Sequence, residues 1–337
     1  MKAVGFYKSL PAGDPNSLVD VEIAKPEPKP RDLIVKVQAI SVNPVDVKMR
    51  GRLAPAIDVP HVLGYDAVGI VESTGSDAKL FKPGDAVFYA GAIDRPGANS
   101  EFHAVDERIV GPAPKSLTPE QAAALPLTSL TAWELLFDRL RVPYGRMATG
   151  DAILIVNGAG GVGSILTQIA RRLTGLTVIA TASRPETERW CFYMGAHHVI
   201  DHRKPLDQGL REIGIPEVRY VAGLTASDLH RDAIVAALAP QGALAMIDDP
   251  ESFDVTPFKR KSLSVHWELM FTRSLFGTAD IEEQHKILSE VSSLVDAGVL
   301  RTTLREEMGR INAANLRRAH VAQESARSIG KTILSGF

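Results

Sequence analysis

A two-domain α/β protein, a mostly β unit joined to a doubly wound parallel sheet, is the fold class that these 337 residues predict. Three observations predict it. The apolar run Ala152–Val156 leads into Gly158-Ala159-Gly160-Gly161-Val162-Gly163. Apolar runs alternate with helix-patterned segments from Asp151 to Trp267, and the first third breaks into short β-like runs punctuated by proline and glycine.

Those first runs lie at Lys2–Phe6, Leu18–Ile23, Asp32–Ile40, Ala67–Ser73, Asp85–Tyr89 and Glu101–Val105. Turn chemistry separates them, from Pro26-Glu27-Pro28-Lys29-Pro30 to Lys82-Pro83-Gly84-Asp85, and their spacing leaves no room for βαβ crossovers. A compact, partly open barrel is expected. A helix over Ser129–Arg139 then leads into the second domain. There strands are expected at Ala152–Val156, Thr177–Ala180, His198–Ile200, Val218–Ala222, Ala243–Ile247 and Leu263–Trp267. Ile165, Leu166, Ile169, Ala170 and Leu173 recur at helical spacing within a helix over roughly Val162–Leu173. The tail reads as helices over Ile281–Ala297 and Leu316–His320 and a last strand at Lys331–Leu334.

The spacing Gly158-x-Gly160-x-x-Gly163, at a strand-to-helix turn, fits a dinucleotide fingerprint. One glycine makes the tight turn, one lets a pyrophosphate approach the backbone, and one lets helix pack on strand. Gly161 and Val162 would open a helix whose free N–H groups and positive dipole end face the phosphates. The next strand ends Thr181-Ala182-Ser183-Arg184, with no acid before Glu186. An NAD site places Asp or Glu there for the ribose hydroxyls, whereas Ser183 and Arg184 suit a 2′-phosphate, so NADPH is the expected cofactor.

Composition narrows the partners. Hydrophobic residues make up 45%, charged residues 23%, and the formal net charge is −2 with the signs interspersed. No basic stripe invites nucleic acid or an anionic membrane. Met1–Phe6 is too short for a leader's apolar region and no apolar run approaches a membrane span, so a cytoplasmic location is expected. The single cysteine, Cys191, excludes an intrachain disulfide and a cysteine-built structural zinc site. Within the helix-like segment Glu188–Met194 it reads as a packed core thiol.

Further motifs run the length of the chain: Asn43-Pro44-Val45-Asp46, Gly64-Tyr65-Asp66-Ala67-Val68-Gly69-Ile70-Val71, Lys82-Pro83-Gly84-Asp85-Ala86-Val87, Leu130-Thr131-Ala132-Trp133, Gly195-Ala196 and Gly330-Lys331. With the glycine fingerprint, they make the chain resemble the medium-chain dehydrogenase/reductase superfamily, and within it the zinc-free quinone oxidoreductases. The resemblance implies a GroES-like catalytic domain over 1–127 and 280–337, a Rossmann NADPH-binding domain over 128–279, and a homodimer. It also implies hydride transfer in the cleft between the domains. Zinc members carry Cys where this chain has Asn43, Gly-His-Glu where it has Gly64-Tyr65-Asp66, and a further ligand near Leu127–Leu130. None of these positions keeps a good ligand, so no metal is expected.

Reduction of a quinone or α,β-unsaturated carbonyl does not need a metal, because hydride addition leaves a delocalised oxyanion that a hydroxyl, amide or water steadies. By the same resemblance Tyr65, Asn43 and Thr131 are the candidate catalytic residues. Tyr65 either donates to the substrate oxygen or walls the pocket, Asn43 contacts the nicotinamide ribose or amide, and Thr131 lies beside the nicotinamide. Asp46 reads as a turn or helix cap after Pro44. Ser183, Arg184 and His202 take the 2′-phosphate, Leu224, Ile247 and Asp248 border the nicotinamide, and Lys331 returns to the cofactor. His61 reads as a loop histidine, and His197-His198 point to opposite faces of a strand. Loops over 50–60 and 91–99 wall the pocket, and Val265–Arg273 borders the cleft and the dimer interface. The alternatives are a zinc-dependent alcohol dehydrogenase or aldehyde reductase, and an NADPH-binding sensor with little turnover.

Overall fold

The computed structural model describes residues 1–53, 58–145, 147 and 150–337; of the pocket-wall loop expected over 50–60, residues 54–57 lie outside these. The chain forms two compact units, Met1–Leu130 with Phe271–Phe337, and Thr131–Met270. The sequence expectation set these breaks after 127 and after 279.

The first unit opens with β1 (Lys2–Phe6), β2 (Val19–Glu22), β3 (Asp32–Val42), α1 (Pro44–Arg52), β4 (His61–Val62), β5 (Ala67–Thr74), β6 (Ala86–Tyr89), β7 (Phe102–Asp106), β8 (Val110–Pro112), α2 (Pro119–Ala123) and α3 (Pro126–Trp133). The second unit, which begins in the last turn of α3, holds β9 (Ala152–Val156), α4 (Gly161–Leu173), β10 (Thr177–Thr181), α5 (Pro185–Met194), β11 (His198–Ile200), α6 (Leu206–Glu212), β12 (Val218–Gly223), α7 (Arg231–Ala237), β13 (Leu238–Met246) and β14 (Ser264–Trp267). The chain then returns to the first unit through α8 (Thr272–Phe276), α9 (Glu283–Asp296), β15 (Leu304–Glu307), α10 (Ala313–Glu324) and β16 (Lys331–Ser335).

β3 is the spine of the first unit. Leu33, Ile34, Val35, Ala39 and Ile40 along it are all but fully buried, and it pairs antiparallel with β5, β7 and β16 in a sheet ordered β15-β16-β3-β5-β6-β8. The last strand of the chain therefore lies against one of the first, with Thr332 opposite Val42. At the end of β3, Pro44 supplies the first turn of α1, where its missing N–H costs nothing.

The second unit is a six-stranded sheet ordered β11-β10-β9-β12-β13-β14, parallel throughout. Every residue of β9 is buried, as expected of a central strand covered on both faces. Leu154, Val156, Ile179, Val221, Leu244 and Met246 from the sheet pack with Leu206, Ile234 and Phe258 in one core. Two elements differ from expectation. The helix expected over Ser129–Arg139 starts at Pro126, a residue suited to a first helical turn, and its second half, Glu134–Arg139, is π-helical. β13 starts at Leu238 rather than Ala243, across an irregularity in its pairing with β12 between Val218 and Tyr220. No helix among the described residues is long and apolar enough to cross a membrane.

Candidate functional site

Each unit presents its own cluster of candidate side chains. In the second unit the chain leaves β9 through Asn157, at φ 66°, a left-handed conformation that a short polar side chain tolerates. A Cβ on Gly158 would lie 2.6 Å from the Ala180 Cβ, and one on Gly163 would lie 2.4 Å from the Asn157 carbonyl oxygen. The protein's own packing thus requires both glycines. Gly160, the N-cap of α4, is different: a Cβ there would meet nothing nearer than Asn157 Nδ2 at 3.0 Å. With no Cβ at Gly160 the backbone at the helix N-terminus stays open, and a cradle of this kind fits a dinucleotide pyrophosphate. Gly161 and Val162 supply the first helical N–H groups.

Thr181 closes β10 and joins it to the cradle: its carbonyl accepts from the Gly158 N–H (3.1 Å) and its hydroxyl from the Asn157 N–H (2.9 Å). His202 Nδ1 lies 3.1 Å from the same hydroxyl, which brings His202 close to the glycine turn. Burial lowers its pKa below the ordinary histidine value. Ser183 and Arg184 follow, half-buried; the Arg184 N–H donates to Thr187 Oγ1 at the start of α5, and its guanidinium lies 3.2 Å from Glu186. On the other side of β9, Gly223 is in register with Met246, so Leu224 and Ile247 emerge together. The Asp248 carboxylate is spent on Ser227, accepting its N–H and its O–H at 2.7 Å each. Thr131 is buried in the last turn of α3.

In the first unit, hydrogen bonds and an ion pair join Asn43, Lys331, Asp46 and Asp66, and Asn43 also reaches the Tyr65 backbone. Lys331 is buried, and its ammonium donates to the Val42 carbonyl (2.9 Å) and Asn43 Oδ1 (2.5 Å) and lies 3.1 Å from Asp66 Oδ2. Asn43 Nδ2 donates to Asp66 Oδ2 (2.7 Å) and the Tyr65 carbonyl (3.3 Å). Asp66 also accepts from the Ser41 hydroxyl and the Leu127 N–H, both at 2.7 Å. A direct contact of the Asn43 amide or the Lys331 ammonium with a cofactor would have to displace one of these bonds. Asp46 accepts from the Asn43 N–H at 2.8 Å, the cap expected of it. Burial pushes its carboxyl up to about 7, with Asp66 adding to the effect and the Asn43 N–H and Lys331 opposing it.

The Tyr65 phenol stands apart. Its hydroxyl is buried and has no hydrogen-bond partner among the described residues, while its ring meets Phe271 edge to face at 5.5 Å. Burial, then the charge of Asp46, pushes it above the ordinary tyrosine value, so it stays a donor. Asp66 is the residue whose role the sequence reading passed over. The signal was a lysine opening the apolar run Lys331-Thr332-Ile333-Leu334, since a buried ammonium demands an acid elsewhere. His61 packs edge to face on Phe6 at 5.6 Å, and His197 accepts the Val178 N–H, so both are structural.

Residues 29–115 match the alcohol dehydrogenase GroES-like domain family, and residues 194–334 the zinc-binding dehydrogenase family. A zinc-type alcohol dehydrogenase-like protein of Staphylococcus aureus is 39% identical over 337 residues, 99% of this chain and 100% of its own length. A Rhizobium etli protein described as a candidate zinc-dependent alcohol dehydrogenase is 55% identical in its crystal structure, with a TM-score of 0.95 over 100% of this chain and 98% of its own. Escherichia coli quinone oxidoreductase, crystallised with NADPH, is 28% identical, with a TM-score of 0.85 over 100% of both chains.

The zinc in two of these names does not suit the residues present. Asn43, Tyr65 and Asp66 offer a carboxamide, a phenol held protonated, and a carboxylate already carrying four donors, and further along stand Leu127-Thr128-Ser129-Leu130. A tetrahedral site needs about three thiolate, imidazole or free carboxylate ligands. Among the described residues no group of three or more His, Cys, Asp or Glu gathers to hold an ion.

Proposed function

The chain belongs to the medium-chain dehydrogenase/reductase superfamily, and from that premise we propose that it is a zinc-independent, NADPH-dependent reductase of quinones or α,β-unsaturated carbonyls. One observation carries the reading: the buried oxygens of Asn43 and Asp66 serve an ammonium, while the buried Tyr65 hydroxyl has no hydrogen-bond partner among the described residues. A phenol in that state donates to an oxygen that gains negative charge, and a conjugated acceptor needs only such help because its charge is delocalised. When bound, the nicotinamide supplies the hydride.

On this reading Gly158, Gly160, Gly161 and Val162 cradle the pyrophosphate, and Ser183, Arg184 and His202 hold the 2′-phosphate. Support for NADPH comes from β10, which ends in the neutral Thr181 where an NAD site would end in an acid, and from the NADPH in the Escherichia coli relative. Leu224, Ile247, Asp248 and Thr131 border the nicotinamide, and Asn43 and Lys331 act behind Tyr65. We take the protein to be a cytoplasmic homodimer acting on a small molecule.

The test is the loss of NADPH absorbance with a small quinone, an enone and an aldehyde, with NADH in parallel and zinc measured on the same sample. Acceptor-dependent oxidation of NADPH, faster than of NADH and untouched by chelator, is expected. Aldehyde reduction that dies with chelator would establish the zinc reading instead, and tight NADPH binding without oxidation of any acceptor would establish a sensor.

A further inference from the structure

Lys331 is an unusual place for a charge. It opens β16, whose Thr332, Ile333 and Leu334 are buried with it, and burial pulls its ammonium below the ordinary lysine value against the pull of Asp66 and Asp46. A desolvated ammonium persists only where its three protons find oxygen. Here they find Val42, Asn43 and Asp66, one acceptor each, a complete set at 2.9, 2.5 and 3.1 Å.

The geometry runs onward from this cation. By taking Asn43 Oδ1, Lys331 decides which way the carboxamide faces; the amide protons must then point to Asp66 and to the Tyr65 carbonyl. Asp66 in turn ties Ser41, at the end of β3, to the Leu127 N–H, in the first turn of α3. Tyr65 is held from behind by its backbone, while its side chain makes no hydrogen bond among the described residues.

We propose that Lys331 is a positioning residue: an internal cation, delivered by the last strand, that orients Asn43 and thereby sets the backbone from which Tyr65 presents its hydroxyl to the acceptor. The inference rests on the role given to Tyr65 above. Lys331 touches neither acceptor nor cofactor in this scheme, so its loss weakens the reaction only through Tyr65.

The test is a double-mutant cycle with Lys331→Met and Tyr65→Phe, reading kcat and KM for a small quinone and the Kd of NADPH by fluorescence. Lys331→Met is expected to lower kcat roughly tenfold or more with NADPH affinity unchanged, and to add little once Tyr65 is Phe, because residues acting as one unit are not additive. Equal losses in both backgrounds would overturn the proposal. No loss from Tyr65→Phe alone would instead sink the role of Tyr65 in the proposed function. Should Lys331→Met fold poorly, Asp66→Asn with Lys331→Met removes both charges of the pair and is expected to recover stability without recovering kcat. Recovery of full kcat by this variant would also overturn the proposal. Independent of turnover, a crystal structure of either variant that lacks Lys331 should show the Asn43 amide rotated and its bond to the Tyr65 carbonyl lost; an unmoved Asn43 and Tyr65 would contradict the inference.

Discussion

Asp46 and Tyr65 answer burial in the same sense but with different consequences. Desolvation holds a proton on each, but Asp46 titrates near neutrality, at about 7, whereas Tyr65 stays a donor throughout the working range. Because the folded chain binds the Asp46 proton more tightly than an unfolded chain does, this residue's contribution is fully present below about pH 4 and drains away as the pH rises to about 7. The loss is on the order of a few kcal/mol. Asp46→Asn keeps an acceptor for the Asn43 N–H and removes the titration. Denaturant unfolding at pH 5 and pH 8 should show the wild type losing more stability over that interval than the variant; identical losses would refute the assignment. Tyr65→Phe should lower kcat for quinone reduction by roughly 10²-fold, the scale for removing one donor to a developing oxyanion, with the Kd of NADPH unchanged. Arg184→Ala should weaken NADPH by roughly tenfold or more and leave NADH nearly as it was, as measured by fluorescence titration of both. Tyr65 and Arg184 are candidates that a short motif alone nominates. Asp66 is not, because its meaning depends on a lysine from the other end of the chain.

At the scale of elements, the turn between β9 and α4 is the most constrained part of the second unit. A methyl at position 163 would meet the Asn157 carbonyl oxygen and the Gly158 backbone, neither of which moves without unseating the turn. Gly163→Ala is therefore expected to abolish NADPH binding and to lower the melting temperature by several degrees, a cost of about 2 kcal/mol or more. Binding retained at wild-type affinity would show the cradle to be looser than its packing. This turn was fully legible, since strand, glycines and helix are contiguous and every signal lies within a few residues. The π-helical segment Glu134–Arg139 was not: its sequence has the spacing of an ordinary helix, and the extra residue per turn is decided by what the helix packs against.

For the whole molecule, the first unit is completed only by the last residues of the chain. β16 pairs with β3 and brings in the cation that balances Asp66, so a chain ending before Gly330 loses both a central strand pairing and a buried charge partner. Such a truncation is expected to leave the first unit unfolded, which circular dichroism and proteolysis would reveal; a folded truncated chain would show that β16 is dispensable. The sequence by itself determined the doubly wound sheet and its glycine turn between β9 and α4. Apolar periodicity, strand length and glycine spacing are local, and a parallel sheet with helical crossovers follows from their order along the chain. Only the tertiary structure decided that Lys331 faces Asn43 and Asp66 instead of solvent or a phosphate. That outcome depends on the register of β16 against β3 and on the loss of water around an ammonium, and both arise only when the two ends of the chain are packed together.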